Sequence, residues 1–87
     1  MQTFTLYVAG ETPLARRAVA NFETHIRPAI EGGCELTVVD VIARPQEAMS
    51  GRVLATPLLV RTEPPPTLRV VGDFSDADRI AQILLAG

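Results

Sequence analysis

Phe4-Thr5-Leu6-Tyr7-Val8 runs into Ala9-Gly10-Glu11-Thr12, and Pro13-Leu14-Ala15 follows. Apolar residues at 4, 6 and 8 alternate with polar or amphipathic ones, the period of a half-buried strand. Thr12 is a good helix N-cap and Pro13 a good first helical residue, so the strand turns directly into a helix. Far downstream, Ala55-Thr56-Pro57 opens a second apolar run, Leu58-Leu59-Val60. A strand that feeds a helix N-terminus opposite a Thr-Pro step is a framework suited to thiol chemistry, because a helix N-terminus stabilises a thiolate. Here Glu11-Thr12-Pro13-Leu14 holds no cysteine. The scaffold is present without its nucleophile, and the expected function moves from catalysis to binding.

Outward from that stretch, Leu14, Ala18, Phe22 and Ile26 recur every four positions beside Ala15 and Val19, which predicts one apolar helix stripe. Pro28 should end or kink that helix near Arg27, with a ragged turn over Ala29-Ile30-Glu31 before Gly32-Gly33. Leu36-Thr37-Val38-Val39-Asp40-Val41-Ile42 is β-branched and almost continuously apolar, the pattern of a central strand buried on both faces. Pro45 to Ser50 predicts a short helix closed by Gly51. A strand at Leu58–Arg61, a turn on Pro64-Pro65-Pro66 and a strand at Leu68–Val71 come next, ended by Gly72-Asp73. Ser75-Asp76-Ala77-Asp78 reads as a cap with acids in the first turn of a last helix, whose inner face is Ala77, Ile80, Ala81 and Leu84 with Ile83 beside it. The order is β-α-β-α-β-β-α, an α/β fold with a four-stranded mixed sheet and helices on both faces.

The totals narrow the function classes. The 87 residues form a single domain, 1–87, with one modest core. Hydrophobic content is 47%, which argues for a packed globule; the four aromatics, Phe4, Tyr7, Phe22 and Phe74, leave that core aliphatic. A net charge of −2 gives no global field for nucleic acid. No apolar run approaches a membrane span and no signal segment precedes the first strand, so the expected location is the cytoplasm. All eight basic residues are arginine, which suits bidentate pairing at a protein surface and equally reflects a GC-rich genome.

Cys34 stands alone, which excludes an internal disulfide and a multi-cysteine metal site. It reads as a small apolar core residue at a strand start, with a reactive thiol as the alternative. His25 is likewise solitary and reads as solvated or capped. Gly10 and Gly72 are isolated, so there is no phosphate loop, and Asp73, Asp76 and Asp78 sit where capping and the helix dipole explain them. No catalytic set, metal site or cofactor is expected.

Taken together, Leu6-Tyr7-Val8-Ala9-Gly10, Thr12-Pro13, Val39-Asp40-Val41, Pro45-Gln46, Leu54-Ala55-Thr56-Pro57, Pro64-Pro65-Pro66 and Gly72-Asp73 followed by Ser75 resemble the KaiB family over nearly the whole chain. That resemblance implies a thioredoxin-like fold in which Thr56–Pro57 is cis. It also implies a non-enzymatic regulatory protein, of circadian or stress signalling, that binds a hexameric KaiC-type ATPase and alters its phosphorylation and ATPase cycle. Clock-associated histidine kinases, whose sensor domain shares the early motifs, and self-oligomers are the further partners it implies. The family positions Arg52, Arg69, Gly72 and Asp73 are the expected docking residues. Thr56, Pro57, Pro64, Pro65, Pro66 and Ser75 are the expected determinants of fold. The family is metamorphic, with a tetrameric form in which the last helix becomes strand; the helix-forming residues of 76–85 are expected to disfavour that form here. The sequence as read ends at Gly87 without the acidic tail of clock versions and without a kinase. A thiol- or glutathione-binding protein using Cys34 or the Pro57 site is the alternative reading.

Overall fold

A computed structural model of the chain describes residues 1–86, with the side chains of Ala77, Ala81 and 84–86 outside that description. The predicted inner face of the last helix at Ala77, Ala81 and Leu84 therefore lies outside the described residues. The elements are β1 (Gln2–Val8), α1 (Pro13–Asn21), a π-helical turn (Phe22–Ile26), a 3-10 turn (Arg27–Ala29), β2 (Cys34–Asp40), α2 (Pro45–Ser50), β3 (Leu58–Glu63), β4 (Leu68–Val71) and α3 (Ala77–Ala86). The sheet order is β2-β1-β3-β4. β1 and β2 are parallel, whereas β1–β3 and β3–β4 are antiparallel, so the sheet is mixed as the element order predicts.

Alternation along β1 sets the two faces. Phe4, Leu6 and Val8 are buried beneath α1, the π-helical turn and α3, together with Ala15, Ala18, Phe22, Ile26, Leu59, Phe74 and Ile80. Phe4 and Phe22 meet edge-on, their ring centroids 5.5 Å apart. Tyr7 points to the opposite face, where Gly51 at the end of α2 comes up against it. Helices thus lie on both faces, but α2 buries no residue of its own and covers its face only in part.

Two expectations need correction. Leu14 does not join the buried stripe and is 43% exposed. A four-residue spacing drifts by about 40° per step on a helix of 3.6 residues per turn, so a residue three steps from Ile26 turns away from the sheet. The wider π-helical turn absorbs part of that drift and lets Phe22 and Ile26 both point inward. The predicted central strand at 36–42 is instead an edge strand, Cys34–Asp40, with Val38 47% exposed and Ile42 beyond its end. β3 takes the central place: Leu58, Leu59, Val60 and Arg61 are all buried. A run of β-branched residues marks a strand but does not say which neighbours it gains, and here the β3–β4 hairpin pairs on the other side of β1.

Candidate functional site

The turn after β1 is where a dithiol would stand in a redox relative. Asp40 Oδ1 accepts from the Gly10 and Ile42 backbone N–H groups, each at 2.9 Å, and these bonds hold its carboxyl below the usual carboxylate range. Thr12 caps α1 by accepting from Ala15 N at 3.1 Å, and Arg16 donates to the Glu11 carbonyl at 3.2 Å. The Asp40 carboxylate, the Thr12 hydroxyl and the Glu11 carbonyl are all used in closing the turn, and no thiol stands there.

Thr56–Pro57 is cis, as are Glu63–Pro64 and Pro65–Pro66. The Pro57 carbonyl accepts from Gly72 N at 2.9 Å, which ties the start of β3 to the end of β4. Gly72 has φ +124, a backbone that side chains rarely adopt, and this explains a glycine at that place. Cys34 lies far from Pro57. It pairs with Gln2 at one end of β1, whereas Leu58 pairs with Tyr7 near the other, which puts roughly 16 Å of strand between them at about 3.3 Å per residue. Burial pushes the Cys34 thiol up, against the pull of Arg27, whose Nη1 donates to the Cys34 carbonyl at 2.9 Å and lies 3.5 Å from Sγ. Arg27 also pairs with Glu23 at 2.7 Å and sits over the Phe22 ring. That network closes the end of the first helical segment and leaves the thiol a poor nucleophile. A site combining Cys34 with Pro57 is not assembled.

The expected docking residues divide into two groups. Arg52, Arg69, Leu54, Ala55, Leu58 and Val71 line one open notch of about 180 Å³ beside α2. Leu54 is 97% exposed and Val71 62% exposed at its rim. Arg69 Nη1 donates to the Gly51 carbonyl at 3.0 Å and Nη2 to the Arg52 carbonyl at 2.8 Å. Asp73 belongs elsewhere. Its carbonyl accepts from Asn21 Nδ2 at 2.8 Å, its carboxylate lies 3.6 Å from Arg17 Nε, and its Oδ1 accepts from Ser75 N at 3.1 Å. Gly72 stands between the two groups. Ser75 precedes the helix by one residue more than expected: α3 starts at Ala77, and Ile80 N donates to the Asp76 carbonyl at 3.2 Å.

The close of α2 also departs from its sequence signal. Arg52 N donates to Met49 O and Val53 N to Ala48 O, at 3.2 and 2.9 Å, which is a Schellman pattern with Arg52 at the left-handed position, φ +53. Gly51, the residue expected to take that role, has φ −83. What favours a glycine there is close packing on β1: an added Cβ would lie 2.7 Å from Tyr7 Oη and 3.2 Å from the Glu47 carbonyl oxygen. Arg61 was also missed as a structural residue. It is buried on the core face and donates from Nη2 to the Pro66 carbonyl at 3.3 Å, fastening the triple-proline turn. Period two along Leu59-Val60-Arg61 places it on the Leu59 face, and that was the available signal. Among the described residues there is no cluster of three or more His, Cys, Asp or Glu fit for a metal, and no helix long and apolar enough to cross a membrane.

The family model described as the KaiB domain matches residues 5–85. The circadian clock oscillator protein KaiB of Gloeothece citriformis (strain PCC 7424) is 40% identical over 75 residues, covering 86% of this chain and 71% of that one. A corresponding protein of Prochlorococcus marinus is 41% identical over 75 residues, and the chain spans 64% of its length. Among solved structures, the N-terminal domain of Synechococcus elongatus SasA superposes with TM-score 0.78 at 27% identity, over 95% of this chain and 78% of that one. Chloroplastic thioredoxin z superposes with TM-score 0.72 over 100% of this chain and 80% of its own, at 17% identity, a likeness of fold alone.

Proposed function

The chain belongs to the KaiB family, and from that membership we propose that it is a non-enzymatic regulatory protein that binds a KaiC-type ATPase ring and modulates its phosphorylation cycle. The observation that carries the reading is the notch beside α2. On a chain of net charge −2, its lining holds two arginines and no acid, with Leu54 and Val71 exposed at its rim. Apolar anchors beside unopposed positive charge suit a protein partner whose facing surface is apolar and acidic. Arg52 contributes the free charge, Arg69 and Gly72 frame the notch, and Asp73 supports the same hairpin from the α1 side. A clock-associated histidine kinase and a second copy of the chain are further proposed partners.

Titration of the labelled chain into a purified KaiC ring, followed by fluorescence anisotropy, tests the proposal. Arg52→Glu should weaken binding by about 1–3 kcal/mol, roughly ten- to a hundredfold, if the charge is paired and desolvated at the interface. A wild-type chain that fails to bind the ring would refute the reading, and unchanged affinity in Arg52→Glu would move the surface elsewhere. We further propose that the thioredoxin-like form dominates in isolation. Helical carbon shifts across 77–84 in solution NMR support that, and strand shifts in the major species would reject it.

A further inference from the structure

The arginine of β4 does not offer its guanidinium outward in the way a docking charge would. Arg69 Nη1 and Nη2 are committed to two successive carbonyls, Gly51 and Arg52, at 3.0 and 2.8 Å. Those carbonyls belong to the residues that close α2, where the backbone passes through a left-handed, non-glycine position at Arg52. The Gly51 carbonyl, at the C-cap, lacks an intrahelical partner; the guanidinium satisfies it together with the carbonyl of the left-handed residue that follows, and opposes the negative end of the helix dipole. The segment that follows carries Leu54, which is almost fully exposed, and Ala55, both lining the notch. The two Schellman bonds close only with Arg52 left-handed, a conformation its own residue type disfavours.

We propose that Arg69 is a positioning residue: its two-pronged hold on the Gly51 and Arg52 carbonyls fixes the left-handed turn at Arg52 and so sets how Arg52 and Leu54 are presented to a partner. This rests on the proposed function for the identity of the partner, but the hold itself is a property of the isolated chain. It separates two roles that one family position could otherwise combine. A contact charge needs only to be positive. A brace needs the planar fork, which lysine lacks.

Arg69→Lys and Arg69→Met decide between them. In the free chain, amide hydrogen exchange at Arg52 and Val53, whose N–H groups make the Schellman bonds, should accelerate at least tenfold in both variants, while amides of β1 and β3 keep their protection. In titrations with a purified KaiC ring, Arg69→Lys should lose affinity about as far as Arg69→Met, although it keeps the charge. The dependence of affinity on salt should stay as in the wild type. Exchange at Arg52 and Val53 that is unchanged in both variants overturns the proposal whatever the ring does. Full binding by Arg69→Lys with a reduced salt dependence in Arg69→Met overturns it as well, by making Arg69 a contact charge. A wild-type chain that does not bind the ring removes the proposed partner, and the exchange measurement still decides the brace.

Discussion

Replacing Arg52 by glycine should make the protein more stable and a poorer binder at once. Arg52 sits at φ +53, a conformation that costs a non-glycine residue about 1–2 kcal/mol. Glycine removes that cost but adds about 0.4–1 kcal/mol of unfolded-state entropy to be lost on folding. The difference favours glycine by about 0.5–1 kcal/mol. Little is forfeited in exchange: among the described residues the Arg52 side chain makes no hydrogen bond or ion pair, and the bond from Arg69 goes to its backbone carbonyl, which glycine keeps. For a domain of this size each kcal/mol moves the melting temperature by about 4–8 °C, so a rise of about 2–8 °C is expected. Arg52→Ala is the control, because it removes the same charge and leaves the backbone cost in place. Thermal unfolding by circular dichroism, with both variants beside the wild type, reads the difference. Arg52→Gly melting at or below Arg52→Ala would refute the reasoning, since the left-handed turn would then carry no strain. Both variants should bind a KaiC ring equally weakly, because the charge and not the fold is what they lack.

Gly51→Ala should cost about 1–3 kcal/mol by overpacking, since the new methyl meets Tyr7 Oη at 2.7 Å and Cζ at 3.0 Å; adding Tyr7→Phe should recover part of the loss in urea unfolding, and an unchanged midpoint in the single variant would count against the contact. Asp40→Ala should lower the melting temperature at pH 7, where the folded carboxylate accepts from Gly10 and Ile42. Because the folded Asp40 lies below its unfolded value, that contribution is present above the unfolded pKa and is lost as pH falls through the folded one. The gap between variant and wild type should therefore narrow as pH falls below the usual carboxylate range, and a gap of constant size from neutral pH into acid would contradict the assignment. Asn21→Ala should cost about 0.5–1.5 kcal/mol through the lost bond to the Asp73 carbonyl, read as a lower urea midpoint with unchanged slope.

What could be read in advance was local. Thr12-Pro13 announces its helix because cap and first-turn chemistry act over three residues, and the bond from Ala15 N to Thr12 Oγ1 is that chemistry realised. The order of elements, the β3–β4 hairpin and the parallel β1–β2 pair follow from period and turn residues in the same way. What escaped was set by neighbours distant in sequence. Gly51 carries a glycine because Tyr7 lies across from it, so the usual helix-ending reading named the right residue for the wrong reason and missed Arg52. The apolar run before Ile42 did not become central, because edge or centre depends on where the hairpin pairs. The arginine partner of Cys34 arrives from the end of the first helical segment, invisible in the residues flanking the cysteine.

The same distinction explains why the docking residues split. Arg69 and Val71 share a face of β4 by period two, opposite Leu68 and Val70, which pack on the core. That rule, applied to residues 68–71 alone, already places an arginine and an exposed valine together. It stops at Gly72, whose φ of +124 breaks the strand period. Beyond it the chain turns toward α1, where Asn21 holds the Asp73 carbonyl, Arg17 approaches the carboxylate, and Phe74 enters the core at φ +63. Gly72-Asp73-Phe74 is therefore a crossing from one face of the sheet to the other. Its first residue is fastened to Pro57 beside the notch and its last is buried under α1 and α3. A substitution at Asp73 can reach the notch only through that crossing, whereas one at Arg52 acts on the notch directly.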